Sequence, residues 1–313
     1  MLHALPAPPM SGASPRNAAS DTVTLGMPQL SRNGLSENWL LKEAGHRHWL
    51  MLADALGLPV PAFRDRDGAT LYATFTGLRL SGGRLDHVAE HDRLHFAGRI
   101  AQVSRTQYQS VQTVTVDGRP VATLELLSIF LRRAVADDNR SVLRALPHPC
   151  PPMLTDAGQD SSLARLCQGF RRKDWLEHRG FSRGARQEIA SVAIDPCPHG
   201  DFNGAGFLYF ASFQSILDRA EWALFRDVSA RAVTTGRDLF YHGNINPGDR
   251  LSVRLCGQRR DGTASLSHWF EILRDSDGAR IADGFTTRRL VPSAEAEPGM
   301  GNMGNVHGAL RLA

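Results

Sequence analysis

An acid, an imidazole and an amide lie close together in the second half of this sequence. Asp195, His199 and Asn203 follow one another at spacings of four residues. A carboxylate or an imidazole can activate a water molecule, so these residue types permit hydrolytic chemistry. Each also has a structural explanation. An Asp at a strand end and an Asn before Gly204 are common turn formers, and His199 is typical of a surface loop.

A long apolar helix is predicted to position these residues. Residues 203–222 carry apolar side chains around nearly the whole cylinder, a pattern typical of a helix inside a fold. Strand-like segments follow at residues 251–257, 264–273 and 279–290, and a turn-rich stretch at 275–278 joins the last two. The simplest arrangement is an antiparallel sheet curled around one central helix.

The same order of signals occurs earlier in the chain. Residues 33–43 open an apolar helix in which Trp49 takes the place that Trp222 takes later. Four pairs of short motifs then recur in one order, which predicts two copies of the unit. The pairs are Leu71-Tyr72 with Phe240-Tyr241, Asp92-Arg93-Leu94 with Asp249-Arg250-Leu251, Asp117-Gly118 with Asp277-Gly278, and Arg132-Arg133 with Arg288-Arg289.

The length and composition agree with two domains. A chain of 313 residues with 42% hydrophobic residues is long enough for two globular cores. We predict a disordered tail at residues 1–21, a first domain at 22–133, a linker at 134–185, a second domain at 186–292 and a flexible tail at 293–313. The N-terminal residues lack the features of a secretion signal, and no apolar run approaches membrane-spanning length.

The charge and the cysteines of the chain indicate which binding partners and which cellular compartment to expect. The net charge of +4 is spread along the chain, which favours an ordinary charged surface over nucleic-acid binding. The cysteines of the chain are Cys150, Cys167, Cys197 and Cys256. They show neither zinc-ligand spacing nor a disulfide framework. We interpret them as free thiols in a reducing compartment, and therefore expect a cytoplasmic protein with no metal and no membrane partner.

Two stretches carry a resemblance to a known family. Residues 195–204, with Tyr209 and Arg219 downstream, are similar to the hot dog thioesterase signature, although its Gly and His are inverted here as His199-Gly200. Residues 26–28 followed by 33–43 resemble the double hot dog acyltransferase/decarboxylase family typified by the leinamycin biosynthesis enzyme. The resemblance covers residues 23–291. It implies an α+β fold of two fused hot dog units, each an antiparallel sheet wrapped around a long central helix.

This resemblance implies a reaction and its partners. The protein would take a malonyl-type or methylmalonyl-type group from coenzyme A, decarboxylate it and pass the acyl group to the phosphopantetheine thiol of an acyl carrier protein. An active-site tyrosine carries the acyl group in that family, and Tyr72 is the match by motif order, with Tyr241 as a reserve. A phenol needs a cationic or hydrogen-bonding neighbour, or a base, to act near pH 7. Four side chains lie close in sequence, namely Lys42, His46, His48 and Arg79.

Decarboxylation would also require donors for the oxygen of a thioester enolate. The start of a hot dog central helix offers free backbone amides and the positive end of the helix dipole. The candidates are Gly34, Leu35 and Ser36 in one half and Gly204, Ala205 and Gly206 in the other, with Ser36 and Asn38 as side-chain donors. Neither step demands a metal or an organic cofactor. Ser36 also fits a simple helix cap, and Tyr72 fits a packed strand aromatic.

Two other functions remain open from the residues. A hot dog thioesterase or dehydratase-like enzyme would use Asp195, with His199, Asn203 and Gly204 at the substrate, and would release free acid and thiol. A noncatalytic module would only shelter an acyl chain. The basic run at residues 171–173 is either solvated or attractive to an acidic carrier protein or coenzyme A phosphates. Both a monomer and a homodimer are open, since two fused units can replace the usual hot dog dimer.

Overall fold

The computed structural model describes residues 18–148, 161–262 and 264–291, in which two similar units follow one another. The long elements of the first unit are β1 (Ala18–Thr24), α1 (Glu37–Ala55), β2 (Tyr72–Ser81), β3 (Arg93–Ser104), β4 (Gln107–Val116) and β5 (Arg119–Arg133). Between the units lie β6 (Val142–Arg144) and α2 (Ser162–Arg172). The second unit has β7 (Ala190–Ile194), α3 (Phe210–Leu224), β8 (Ala232–Tyr241), β9 (Leu251–Asp261), β10 (Ser265–Arg274) and β11 (Arg280–Leu290).

One continuous antiparallel sheet joins the two units. Its order is β1-β3-β4-β5-β2-β8-β11-β10-β9-β7, and β6 pairs with β5. Each unit therefore contributes five strands in the same internal order. The units meet where β2 pairs with β8, with Leu80 opposite Arg237 and Gly77 opposite Phe240. This arrangement confirms the predicted α+β double hot dog architecture.

The central helices are buried because they are apolar on most of their surface. Leu40, Leu41 and Ala44 of α1 are fully buried, as are Ile216 and Leu217 of α3. Burying side chains of this size stabilises the fold by roughly 1.5–3 kcal/mol each. The helices also touch each other, since Asn38 Nδ2 donates to the carbonyl of Ala211 at 3.0 Å and to Ser215 Oγ at 2.9 Å.

The start of each central helix differs from the sequence prediction. Helix α3 begins at Phe210, and the preceding residues from Asn203 form a loop in which Gly206 has a φ of 75°. Helix α1 begins at Glu37, while Gly34–Leu35 pairs with Leu30–Ser31 in a short ladder. The loops form because asparagine and glycine favour turns over helical backbone. Gly204 to Gly206 and Gly34 to Leu35 are therefore not helix starts.

Helix α2, which falls within the predicted linker, covers the junction of the units. The ring of Phe170 stacks on Phe240 with centroids 4.0 Å apart. Cys167 lies against Gly77, where a Cβ atom would collide with its sulfur. Cys167, Cys197 and Cys256 are free thiols as predicted, and Cys150 lies outside the described residues. So do the predicted tail at 293–313 and most of that at 1–21, although β1 already begins at Ala18.

A buried ionic cluster links the units beneath the sheet. Glu37 at the start of α1 accepts from Arg237 of β8, with Nε to Oε1 at 2.5 Å and Nη2 to Oε2 at 3.1 Å. Arg237 also donates to Asp218, to which Arg288 donates at 2.6 Å. Arg237 is fully buried. Buried charges of this kind require partners on every side, and here each side is supplied by a different element.

Candidate active site

A cavity of about 640 Å³ opens between the two units. The first unit supplies Lys42 and Trp49 from α1 and the start of β2 from Tyr72 to Phe75. The second unit supplies much of the segment from His199 to Phe210. Most lining side chains are apolar, with a few polar groups among them, which is typical of a small-molecule site. Tyr72, His199, Asn203 and Gly204, all predicted from the sequence, line this one cavity.

Tyr72 meets a cation that sequence reasoning missed. Arg133, at the end of β5, donates from Nη1 to Tyr72 Oη at 3.3 Å. Its guanidinium also lies over the Phe207 ring at 4.0 Å from the centroid, and Phe207 packs edge-on against Tyr72 at 5.0 Å. These contacts fix the position of the phenol oxygen beside the guanidinium. The available sequence signal was the repeated Arg-Arg pair at the end of the last strand of each unit.

Arg133 is held in place by a polar network. Its Nε and Nη2 donate to Asn139 Oδ1 at 3.0 and 2.6 Å. Nη2 also donates to the carbonyl of Ala205 at 2.5 Å. Asn139 is buried and donates in turn to the carbonyls of Gly206 and Ile245 at 2.6 and 2.7 Å. The loop of the second unit is therefore fixed to the tyrosine of the first.

Two of the three amides that the sequence predicted as oxyanion donors in the second unit, those of Ala205 and Gly206, are already occupied. Asn203 Oδ1 accepts from the amides of Ala205 and Phe207 at 3.0 and 3.1 Å. The amide of Gly206 donates to the carbonyl of Asn203 at 2.8 Å. Asn203 therefore shapes its own loop through its side chain and backbone. The predicted role of residues 204–206 as a helix start is wrong, because the helix begins later.

The true start of α3 faces the cavity. Phe210 is its first residue, and the preceding Tyr209 supplies no side-chain cap. Both residues line the cavity. The amide of Ser212 donates to the carbonyl of Tyr209 at 2.8 Å, so the amides of Phe210 and Ala211 are the ones left without an intrahelical acceptor. The helix start also carries the positive end of the helix dipole. Burial, and then the negative charge of Glu43, raises the pKa of Tyr209 to about 12, so its phenol stays neutral.

Three further polar side chains line the cavity. His199 lies on the one-turn helix Pro198–Asp201 and is exposed. Lys42 reaches the cavity from α1. Asn244 forms part of the same wall and accepts from the amide of Leu208 at 2.9 Å through Oδ1. The cavity thus combines a phenol, an imidazole and an ammonium group around an apolar space.

The remaining predicted residues lie elsewhere. Ser36 Oγ accepts from the amide of Trp39 at 3.3 Å and so caps α1. Asn38 donates to α3, as described above. Ser36, Asn38 and Leu35 line a separate cavity of about 520 Å³, and Gly34 has a φ of 98° beside Leu85. The structure does not bring this group to Tyr72, because its polar atoms serve the helix start and the contact between helices.

The reserve tyrosine and the base predicted for hydrolysis are also displaced. Tyr241 is buried and donates to the carbonyl of Phe210 at 3.2 Å. Burial raises its pKa well above the usual value, which disfavours the phenolate. Asp195 is exposed and pairs with Arg250 at 2.7 Å, away from the lining of the main cavity.

The neighbours of Tyr72 in sequence are not its neighbours in space. His48 is buried between Ser110 Oγ and Ser128 Oγ, each at 2.8 Å. Arg79 donates to Asp238 at 3.2 Å. Neither these residues nor His46 line the main cavity, whereas Lys42 does.

Within the described parts of the chain, two general features concern partners. They contain no helix that is long and apolar enough to span a membrane. Across the same residues, no group of three or more His, Cys, Asp or Glu side chains is arranged to hold a metal ion.

Comparison with known proteins identifies the fold. No family model and no curated protein sequence matches the chain. Among solved structures, the chain is similar to the 12:0-ACP thioesterase from Umbellularia californica, with a TM-score of 0.59 and 10% identity over 88% of this chain and 94% of that one.

Two bacterial structures give the same result. An acyl-ACP thioesterase from Bacteroides thetaiotaomicron has a TM-score of 0.58 and 12% identity over 87% of this chain and 97% of that one. A protein described as an oleoyl thioesterase from Lactobacillus plantarum has a TM-score of 0.61 and 11% identity over 90% of this chain and 99% of that one. The chain therefore shares the hot dog fold of acyl thioesterases along nearly its whole length.

Proposed function

We propose that the protein is an acyl-thioester hydrolase whose substrate lies in the cavity between the two units. The observation that carries this proposal is the convergence of Tyr72, His199 and the uncapped start of α3 on one apolar space. An apolar wall suits an acyl chain, and the polar groups suit a reacting carbonyl. The three structural neighbours compared above are described as thioesterases and share this fold, which supports the same reaction class.

The proposed chemistry uses the cavity groups as follows. His199 takes a proton from a water molecule, whose oxygen attacks the thioester carbonyl. Negative charge develops on the carbonyl oxygen, where the amides of Phe210 and Ala211 and the helix dipole stabilise it. The carbon–sulfur bond then breaks, the proton passes to the thiolate, and the products are a free acid and a thiol. Asp195 takes no part in this scheme, because it lies outside the cavity.

A second candidate is acyl transfer through Tyr72, and the contact between Arg133 and Tyr72 favours it. The phenol oxygen would attack the thioester carbonyl, the thiol would leave with the phenolic proton, and an acyl-tyrosine ester would remain. The thiol of a carrier protein would then accept the acyl group and return the proton to the tyrosine. Decarboxylation of a malonyl-type group belongs to this candidate and rests on the family resemblance.

Intact-protein mass spectrometry combined with thiol and acid release distinguishes the candidates. The wild type, His199→Gln, Tyr72→Phe and the control Tyr241→Phe are exposed to malonyl, methylmalonyl and longer-chain coenzyme A thioesters. If the protein is a hydrolase, it should release equal amounts of thiol and free acid. This activity should be lost in His199→Gln and retained in Tyr72→Phe. An acyl mass on the protein that is absent only from Tyr72→Phe would favour transfer. No turnover of any thioester by the wild type would refute both.

A further inference from the structure

Two arginines lie together at the edge of the junction between the units. Arg144 ends β6 and Arg171 lies in the last turn of α2, and both line a cavity of about 210 Å³ and a neighbouring one of about 220 Å³. In the described part of the chain, neither guanidinium forms a salt bridge. Arg171 Nη2 donates only weakly to the carbonyl of Tyr241, at 3.4 Å.

The two guanidinium groups concentrate positive charge beside these cavities. Burial and then the positive charge of Arg144 lower the pKa of Arg171 from its usual value. Two like charges held beside one cavity repel each other, and a bound anion relieves that repulsion. Arginine forms paired, charge-assisted hydrogen bonds with phosphate oxygens, which makes phosphate a well-suited anion.

The cavity beside these arginines adjoins the candidate active site. Six residues line both cavities, and they are Thr74, Phe75, Phe207, Leu208, Phe210 and Asn244. A ligand held at Arg144 and Arg171 therefore lies directly beside the cavity that contains Tyr72. Such a ligand would have an anionic end at the arginines and an uncharged arm that reaches the reacting groups.

We propose that Arg144 and Arg171 bind the phosphate at the end of a pantetheine arm and so direct its thioester into the main cavity. This inference rests on the proposed function, because acyl thioesters of coenzyme A and of acyl carrier protein both carry that phosphate. It also divides the basic run at residues 171–173. All three side chains are exposed, but only Arg171 lines the cavities.

Calorimetric titration with the unacylated arm tests the proposal without requiring turnover. The wild type, Arg144→Gln, Arg171→Gln and the matched control Arg172→Gln are titrated with 4′-phosphopantetheine and with pantetheine. In the wild type, we expect the phosphate to tighten binding by about tenfold or more. Each cavity variant should lose most of that gain, Arg172→Gln should keep it, and pantetheine should bind all four proteins equally.

Other results overturn the proposal. If phosphopantetheine binds the wild type no more tightly than pantetheine, or does not bind, the arginines do not recognise the phosphate. A variant that weakens pantetheine and phosphopantetheine equally has altered the cavity rather than a phosphate contact. Folding of each variant is checked by thermal unfolding, and Arg171→Lys, which keeps the charge, should recover part of the affinity.

Two further titrations identify the source of the phosphate. Coenzyme A and holo-acyl carrier protein are compared in the wild type and Arg171→Gln, with apo-acyl carrier protein as the control. Arginine-dependent binding of coenzyme A alone assigns the site to coenzyme A, and arginine-dependent binding of holo but not apo carrier assigns it to the carrier. If the arginines recognise the phosphate but no acyl thioester is turned over, this inference stands and the proposed hydrolase function fails.

Discussion

Arg133 is the side chain on which most contacts of the candidate site depend. It binds the phenol of Tyr72, the side chain of Asn139 and the carbonyl of Ala205. We expect Arg133→Gln to lower kcat/KM for an acyl thioester by roughly 10–100-fold, because charge-assisted bonds of about 1.5–3 kcal/mol hold the loop that lines the cavity before α3. Steady-state thiol release measures this effect.

The neighbouring arginine provides a matched control. Arg132 lies on the same strand and is half exposed, with Asp65 at 3.8 Å. Its replacement by Gln should leave activity and stability nearly unchanged, since exposed ion pairs contribute about 0–1 kcal/mol. Equal losses in the two variants would show that the position of Arg133 beside Tyr72 has no special importance.

The buried His48 should make the stability of the protein depend on pH. Burial between two serines lowers its pKa to about 3. In the unfolded chain, His48 binds a proton as the pH falls below about 6.5, whereas in the folded protein it stays neutral. The contribution of His48 to the free energy of unfolding is therefore fully present above that pH and is lost as the pH falls. The loss reaches about 1.4 kcal/mol per pH unit.

Substitution isolates this contribution. His48→Gln should cost roughly 1–3 kcal/mol at pH 7.5, because buried serine contacts are lost. At pH 5, the difference from wild type should shrink by about 2 kcal/mol, since the variant lacks the titrating group. Urea denaturation at the two pH values measures the gap. An unchanged gap would mean that His48 has the same pKa in both states.

At the scale of single residues, the sequence reveals chemical types but not their partners. His199 and Asn203 could be named as candidates from their residue types and their place in the thioesterase-like stretch, whereas Tyr72 could be named only through the family resemblance. Arg133 could not be placed beside Tyr72 in this way. Its position follows from the register of β2 and β5, in which Tyr72 lies opposite Leu131. That register is fixed only when the sheet forms.

The close approach of helices α1 and α3 depends on one glycine. Gly45 of α1 lies against the ring of Phe210, and a Cβ atom there would collide with it. Gly45→Ala should raise helix propensity by about 1 kcal/mol, yet we expect a net destabilisation of about 1–3 kcal/mol from overpacking. Because Phe210 lines the main cavity, substrate KM should also rise. Thermal unfolding and steady-state kinetics measure the two effects.

A second substitution tests the cause. Gly45→Ala combined with Phe210→Leu removes the ring edge that the new methyl group strikes. The double variant should lose less stability than the sum of the losses measured for the two single variants, as expected for residues in contact. Additive losses would show that the destabilisation comes from elsewhere on α1.

The repeated elements were largely visible in the sequence, and the exception is informative. Three of the four paired motifs mark equivalent points, namely the starts of β3 and β9, the turns before β5 and β11, and the ends of those strands. The fourth is wrong, because Tyr72 begins β2 whereas Tyr241 ends β8. The antiparallel pairing of β2 with β8 brings these opposite strand ends near each other. The motif match therefore reflected the junction rather than the repeat.

The prediction that follows from the whole molecule is that the two units unfold together. They share one continuous sheet, and the buried ion pair between Glu37 and Arg237 crosses from one unit to the other. Denaturant unfolding should therefore show a single transition that is superimposable by tryptophan fluorescence and far-UV circular dichroism. Two separated transitions would show that each unit is stable without the other.

Glu37→Gln should weaken this coupling strongly, because it leaves the buried Arg237 short of one of its two carboxylate partners. Breaking a buried pair by removing one partner typically costs about 3–5 kcal/mol. Burial alone would raise the pKa of Glu37, but the salt bridges to Arg237 and Arg288 outweigh it and lower this pKa. The stabilisation that Glu37 provides is therefore present above the usual pKa of a carboxyl group and is lost as the pH falls below it. The control Glu43→Gln removes an i,i+4 pair with Arg47, which keeps its contact with Asp21, and should cost no more than about 1 kcal/mol. Equal costs for the two variants, measured by urea unfolding at pH 7.5, would show that the charge cluster does not hold the units together.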